Sequence, residues 1–230
     1  KLLHNNHNHR LGIGHTRWAT HGIPNNINAH PHQDYLKKFT LVHNGIIENY
    51  NSIKELLVSE GLEFISDTDT EVLVQLISYL YQRDNLTFSQ AVRAALGEVI
   101  GTYGILVTCN DEPDKIIAAK LGSPLVIGVG ENEMIIASDS SPIIEHSRKI
   151  VFLDEGELAI IYSNKYEVRS ISQDKIVNKT IDKIDYSLEE IEKSGYDHFM
   201  LKEIFEQPKT VKESMRGRIN FEIEELKLGG

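Results

Sequence analysis

Apolar positions change their period near residue 100, which divides the chain into a helical first part and a strand-rich second part. Three stripes at helical spacing precede that point, each behind a start signal. Ser52-x-x-Glu55 opens or reinforces a helix with Ile53, Leu56 and Leu57 on one face. Thr68-x-x-Glu71 is a capping box ahead of Val72, Leu73, Leu76, Ile77 and Leu80, and Thr87-x-x-Gln90 stands ahead of Ala91, Val92, Ala95 and Leu96. Upstream, residues 1–10 read as a polar loop, Leu11–Gly14 as a short strand, and 25–32 as turn chemistry rich in Asn. Phe39–His43 reads as a buried strand that stops at Asn44-Gly45.

From Thr102 the pattern predicts short strands at Tyr103–Thr108, Ile116–Lys120, Pro124–Val129, Glu133–Ala137, Lys149–Leu153, Glu157–Tyr162 and Tyr166–Ile171. Polar turns separate them, as in antiparallel hairpins and meanders. Runs apolar on both faces, such as Leu125-Val126-Ile127, suit sheets covered on two sides. Pro142–Glu145 has the look of a single helical turn. Two facing sheets with helices outside is the predicted layering. Beyond them, Ser187-x-x-Glu190 starts a charged helix that Gly195 breaks. A second helix spans Asp197–Glu206, and Pro208 at a first-turn position starts a third over Lys209–Arg216.

The 230 residues leave room for one good-sized domain or one domain and part of another. A formal net charge of −10 argues against nucleic acid as a partner, because that binding rests on neutralising phosphates. No apolar run approaches the ~18 residues that cross a bilayer, so no membrane partner is expected. The first residues contain no apolar core of signal-peptide length. Cys109 is the only cysteine, which excludes an internal disulfide and fits a reducing cytoplasm.

Candidate chemistry is concentrated in Gly14-His15-Thr16-Arg17-Trp18-Ala19-Thr20-His21-Gly22, His43-Asn44-Gly45-Ile46-Ile47-Glu48-Asn49 and Asp67-Thr68-Asp69-Thr70-Glu71. The Arg17 guanidinium offers two parallel donors suited to an amino-acid carboxylate, although a lone arginine more often makes a surface ion pair. Asp69 sits at the first position of the helix that Thr68 caps. A carboxylate is favoured there electrostatically, with or without a ligand. Together Arg17 and Asp69 can hold the two ends of a zwitterion. The Asn44 amide and Gly45 N–H can point at one oxygen, as in an oxyanion hole, or simply form a turn. Trp18 lines a pocket or fills core; Thr20 and His21 stand at a strand end, where they can orient ligand or backbone. His4, His7, His9, His30 and His32 invite a metal reading, but no recognised ligand spacing supports it, so none is expected. Cys109, ending an apolar strand, reads as a buried structural thiol rather than a nucleophile.

These motifs occur in the order found in the glutamine-fructose-6-phosphate transaminase (glucosamine-6-phosphate synthase) family, whose amidotransferase half the chain resembles. Ala29-His30-Pro31-His32, Gly122-Ser123-Pro124-Leu125-Val126, Ala137-Ser138-Asp139, Leu153-Asp154-Glu155-Gly156-Glu157 and Lys202-Glu203-Ile204-Phe205-Glu206-Gln207-Pro208 extend the resemblance over nearly the whole chain. It implies an α+β fold, the N-terminal-nucleophile hydrolase αββα sandwich of two antiparallel sheets, here lacking its first strand. Residues 1–195 would be a type-2 glutamine amidotransferase domain incomplete at its N-terminus. Residues 196–230 would be the hinge and the start of a sugar isomerase domain.

By the same resemblance, Arg17 binds the glutamine α-carboxylate and Asp69 its α-ammonium, and Asn44 and Gly45 form the oxyanion hole. Thr20 and His21 shape the glutamine pocket, and Trp18 sits where ammonia leaves. The implied partners are glutamine, the enzyme's own isomerase domain with its fructose 6-phosphate, and a second copy in a homodimer; no cofactor is implied. The family's nucleophile is a cysteine at its mature N-terminus, activated by its own α-amine. Lys1 begins after the strand that would carry it, and Cys109 does not match its position. The expectation is an ammonia-supplying half-enzyme, inactive as it stands. The alternative is a non-catalytic glutamine-binding regulatory module.

Overall fold

The computed structural model describes residues 10–16, 22–183, 193, 195–214, 219–220 and 225–226. They fall into two compact units, 1–183 and 184–230.

The first unit is built on two antiparallel sheets. The larger has seven strands in the order β1 (His32–Gln33), β2 (Phe39–Ile47), β3 (Gly101–Cys109), β4 (Lys115–Leu121), β8 (Glu157–Tyr162), β9 (Tyr166–Ser170) and β10 (Ile176–Val177). The smaller runs β11 (Asp182–Lys183), β7 (Lys149–Phe152), β5 (Val126–Val129) and β6 (Met134–Ala137). Side-chain alternation along the large sheet sorts its residues into two cores. Ile105, Val107, Ile117, Ala119 and Leu158 face the helices α1 (Tyr50–Ser59), α2 (Asp69–Arg83) and α3 (Phe88–Glu98). Their neighbours Leu106, Ala118, Ala159 and Ile161 face the small sheet, meeting Ile127, Val151 and Leu153. On the small sheet's far side, the short helix α4 (Ser141–Ile144) seats Ile143 where Gly128 has no side chain. Helix, sheet, sheet and a short helical turn is the layering that the sequence pattern predicts.

Strands expected after residue 102 appear within two residues of their predicted ends. Four expectations in this unit are corrected or narrowed. Leu11–Gly14 forms no strand, since its two glycines offer no side chains to pair. Helix α1 starts at Tyr50, two residues before Ser52. Its N-cap Asn49 makes no cap bond, because that side chain bridges the Glu98 carbonyl (2.8 Å) and the Ile100 N–H (2.9 Å). Thr68 caps α2 by accepting the Glu71 N–H (3.2 Å), but the Glu71 carboxylate turns away to the N–H groups of Ile65 and Ser66. The box is therefore half formed.

The fourth matters most for the site: β2 does not stop at Asn44-Gly45 but runs on to Ile47. Gly45 pairs with Tyr103 and Gly101 with Ile47, at φ of +134° and +136°. A Cβ would fall 2.1 Å from the Thr102 carbonyl at Gly45 and 2.1 Å from the Ile46 carbonyl at Gly101. Only glycine lets the two backbones meet this closely at those angles.

Two further devices hold the unit together. The buried Asp34 carboxylate fixes the β1–β2 turn by accepting the N–H groups of Lys38 and Phe39 (both 2.7 Å) and the Ser78 hydroxyl of α2 (2.7 Å). Lys179, on the strap between the sheets, bonds Asp154 and Glu157 (both 2.6 Å) and holds the Asp154 carboxyl below its usual range.

The second unit contains α5 (Phe199–Ser214) and a hairpin of β12 (Ile219–Asn220) and β13 (Glu225–Leu226). Pro208 lies inside α5 rather than starting a new helix. The lost bond would leave the Ile204 carbonyl, which on so exposed a helix can turn to water. The helix expected from Ser187 lies outside the described residues.

Gly101→Ala is expected to lower unfolding stability by roughly 2–4 kcal/mol, read from urea titration, since both its φ and its neighbours exclude a methyl. Gly97→Ala, near the end of α3 with open space around it, should change stability little or raise it by up to about 1 kcal/mol.

Candidate active site

The exposed end of β2 and the start of α2 build the site. β1 pairs with β2 only at Leu41 and Thr40, so the outer edge of β2 is unpaired by strand from His43 onward. Even-numbered residues turn their N–H groups toward β3: Ile46 donates to the Thr102 hydroxyl (3.3 Å), and Glu48, just past the strand, to the Ile100 carbonyl (2.8 Å). Alternation puts the odd-numbered N–H groups on the outer edge. There His43 donates to His30 Nδ1 (3.4 Å) and Ile47 to Asp69 Oδ2 (2.9 Å). Between these two satisfied donors, the same alternation turns the Gly45 N–H outward. Asn44 beside it is exposed, and its Oδ1 lies 2.6 Å from His15 Nε2.

Asp69 occupies the first turn of α2, as expected, and is only 4% exposed. The helix N-terminus and the Ile47 N–H compensate its burial. Its second oxygen, Oδ1, has the Thr70 hydroxyl at 3.5 Å. Around it the α2 start carries a hydroxyl–imidazole array. The Thr70 hydroxyl lies 3.1 Å from His30 Nε2 and 3.2 Å from His43 Nδ1, and the Thr68 hydroxyl lies 3.1 Å from His32 Nε2. His43 Nδ1 is 3.9 Å from Asp69. The His30 and His32 rings meet edge to face at 5.2 Å, yet each addresses a different hydroxyl. These histidines are thus tied to α2, a role that composition, which suggested only metal, does not reveal. Ala29-His30-Pro31-His32 beside a Thr-rich helix start was the available signal.

Gly22 closes the opening motif at φ +73°, where a Cβ would strike the Asn28 amide. Asn28 is buried and accepts the Asp67 N–H (3.0 Å), joining this loop to the approach to α2. Arg17, Trp18, Thr20 and His21 lie outside the described residues, as do His4, His7 and His9. Cys109 is at the other end of β3, five residues from Gly104, the partner of Asn44. At ~3.3 Å per residue that is roughly 17 Å away. Burial among the α2 and α3 side chains pushes its thiol above the ordinary value.

Two antiparallel sheets faced by helices, with a helix-start carboxylate bonded to the strand edge beside Gly45, define an amidotransferase-type sandwich. The family described as glutamine amidotransferase domain matches residues 4–186, and the chain belongs to it. Among its relatives, glutamine–fructose-6-phosphate aminotransferase (isomerizing) of Chlorobaculum tepidum is 51% identical over 221 residues, 96% of this chain and 36% of that protein. The protein of the same name from Thermococcus kodakarensis is 48% identical over 206 residues, 90% of this chain and 34% of that one. The chain thus spans little more than a third of the length of these relatives. Among solved structures, glutamine phosphoribosylpyrophosphate amidotransferase from B. subtilis, complexed with ADP and GMP, matches with a TM-score of 0.56 at 24% identity. That match covers 70% of this chain and 35% of the other. A structure described as the allosteric regulatory enzyme of purine biosynthesis matches at 0.54 and 23%, covering 64% and 32%. These likenesses show the fold, an N-terminal-nucleophile-type α+β sandwich. No helix among the described residues is long and apolar enough to cross a membrane.

Thr70→Val keeps the shape of the side chain but strips two imidazoles of their shared hydroxyl. It is expected to cost about 1–3 kcal/mol in denaturant titration and to shift the ring resonances of His30 and His43 together.

Proposed function

We propose that this chain is the glutamine-hydrolysing, ammonia-supplying half of an enzyme that makes glucosamine 6-phosphate from fructose 6-phosphate and glutamine. The observation that carries the proposal is the 51% identity to the Chlorobaculum protein across 96% of the chain. The site geometry supports it, since a buried carboxylate and an outward Gly45 N–H share one strand edge. In this reading Asp69 takes the α-ammonium of glutamine on Oδ1 while Oδ2 keeps the Ile47 N–H, and Arg17 takes the α-carboxylate. Thr20 and His21 shape the pocket and Trp18 faces the route by which ammonia leaves. Asn44 and Gly45 donate to the oxygen that becomes negative when a thiolate adds to the amide carbon. That charge exists only in the transition state and intermediate, so these donors raise rate more than affinity.

The same reading gives residues 1–195 to the amidotransferase domain and makes 196–230 the hinge toward a sugar isomerase domain. The partners are that domain, its fructose 6-phosphate, and a second copy in a homodimer, and the reaction belongs to the cytoplasm. The second reading is a glutamine-binding module without chemistry. Cys109 is buried about 17 Å along β3 from the donors, out of reach of an amide held there.

The 230-residue chain by itself is therefore expected to release no glutamate from glutamine. Steady release that disappears in Cys109→Ala would make Cys109 the nucleophile and overturn this account.

Binding needs no thiol, so glutamine should still raise the melting temperature of the chain. A ligand at one hundred times Kd stabilises by about 2.7 kcal/mol. Glutaramate, which lacks the α-amine, should do less. Asp69→Asn retains an oxygen for the Ile47 N–H but loses the charge; it and Arg17→Ala should each abolish most of the shift. Asn44→Ala should largely preserve it. A full glutamine shift in Arg17→Ala or Asp69→Asn would remove that residue from the clamp.

A further inference from the structure

His15 makes a contact at the proposed oxyanion donor that the proposed chemistry has not used. Its Nε2 lies 2.6 Å from Asn44 Oδ1, and among the described residues nothing else bonds the Asn44 side chain. The other nitrogen, Nδ1, is buried with no hydrogen-bond partner among the described residues, in a ring tilted 40° against His30 at 4.4 Å. This asymmetry determines the proton's position. A hydrogen on Nδ1 would be a buried donor with no acceptor, and such orphan donors are rarer and costlier than unfilled acceptor sites. The hydrogen on Nε2 instead donates to Oδ1 over a short bond.

The orientation of the Asn44 amide follows. An amide has an accepting end and a donating end, related by a half-turn. With Nε2–H facing it, only the carbonyl end can meet His15, so the NH2 group is turned to the open side beside the outward Gly45 N–H. With the other tautomer the amide would reverse and present its oxygen to the site, which would repel an oxyanion.

We infer that His15 is a positioning residue for the glutaminase reaction: by donating through Nε2 to Asn44 Oδ1 it fixes the amide with its NH2 toward the developing oxyanion. The inference rests on the reading of Asn44 as an oxyanion donor. It makes His15 part of the electrostatic preorganisation rather than of substrate binding, since it touches no substrate atom.

Two measurements test it. In the 15N-labelled 230-residue chain, long-range proton–nitrogen correlation should show His15 as the Nε2–H tautomer. An Nδ1–H tautomer overturns the inference whatever the protein catalyses. The second measurement uses the complete gene product and its glutaminase rate. His15→Leu should lower kcat by ~10–100-fold, short of the ~100–1,000-fold for losing an oxyanion donor outright, with KM within about twofold. His15→Gln, whose amide nitrogen can donate to Oδ1, should recover most of that loss. In an Asn44→Ala background, His15→Leu should cost nothing further, because the group it positions is gone. An unchanged kcat in His15→Leu, or a full additional loss in the Asn44→Ala background, sinks the inference while leaving the glutaminase reading intact. Absence of glutaminase activity in the unsubstituted gene product refutes that reading and, with it, the catalytic role of His15. The tautomer is then left as a structural fact alone.

Discussion

The bond from the Ile47 N–H to the Asp69 carboxylate, 2.9 Å long, sets the geometry of the whole site. It joins the end of β2 to the beginning of α2. A carboxylate 4% exposed is costly unless donors surround it. The α2 N-terminus supplies a favourable field, and Ile47 supplies the donor at the strand edge that no neighbouring strand covers. One contact therefore settles two buried polar groups. It also fixes the phase of β2 relative to α2, and with it which N–H groups of the strand face outward.

That constraint works only because β2 continues past Asn44-Gly45. The strand can continue because Gly45 and Gly101 let β2 and β3 approach at angles closed to other residues. The outward donor is therefore backbone, held by sheet pairing on one side and by the His30 and Asp69 contacts above and below it. On the proposed function, a donor fixed in this way would not need to reorganise as charge develops, the condition under which it stabilises a transition state strongly. The thiol of Cys109 shares β3 with this region but belongs to the helix-facing core, where burial raises it above its ordinary value.

Much of the fold is legible in the sequence because its signals are local. The stripe from Val72 to Leu80 and the hairpins after Thr102 follow from side-chain period and turn residues, which neighbours a few positions away enforce. Two corrections that shape the site are those in which a distant partner wins. Ser52-x-x-Glu55 reads as a helix start, yet α1 begins at Tyr50 behind Asn49, whose side chain is taken by Glu98 and Ile100, about fifty residues on. Asn44-Gly45 reads as a turn because its dipeptide favours one, whereas the partner strand Gly101–Tyr103 holds it extended. Asp69 is legible as a helix-start carboxylate, yet its bond to Ile47 depends on tertiary placement. His30, His32 and His43 are visible as a cluster in composition, but their assignment to the Thr68 and Thr70 hydroxyls requires α2 to dock against β1 and β2.

On the proposed function, a separation of tasks along the strand edge would let a domain of this kind bind without reacting. Asp69 is held by the α2 N-terminus and the Ile47 N–H, which depend on no nucleophile, so an ammonium would find it already in place in the folded sandwich. The proposed donors Asn44 and Gly45 would instead gain only when an oxygen becomes negative, and that requires an attacking group near them. Binding geometry and reactive geometry would then meet on β2 but draw on different neighbours, α2 for the first, His15 and β3 for the second. The two could be lost independently. The hydroxyl–imidazole array at the start of α2 links them physically, since His43 stands between Asn44 in sequence and Asp69 in space.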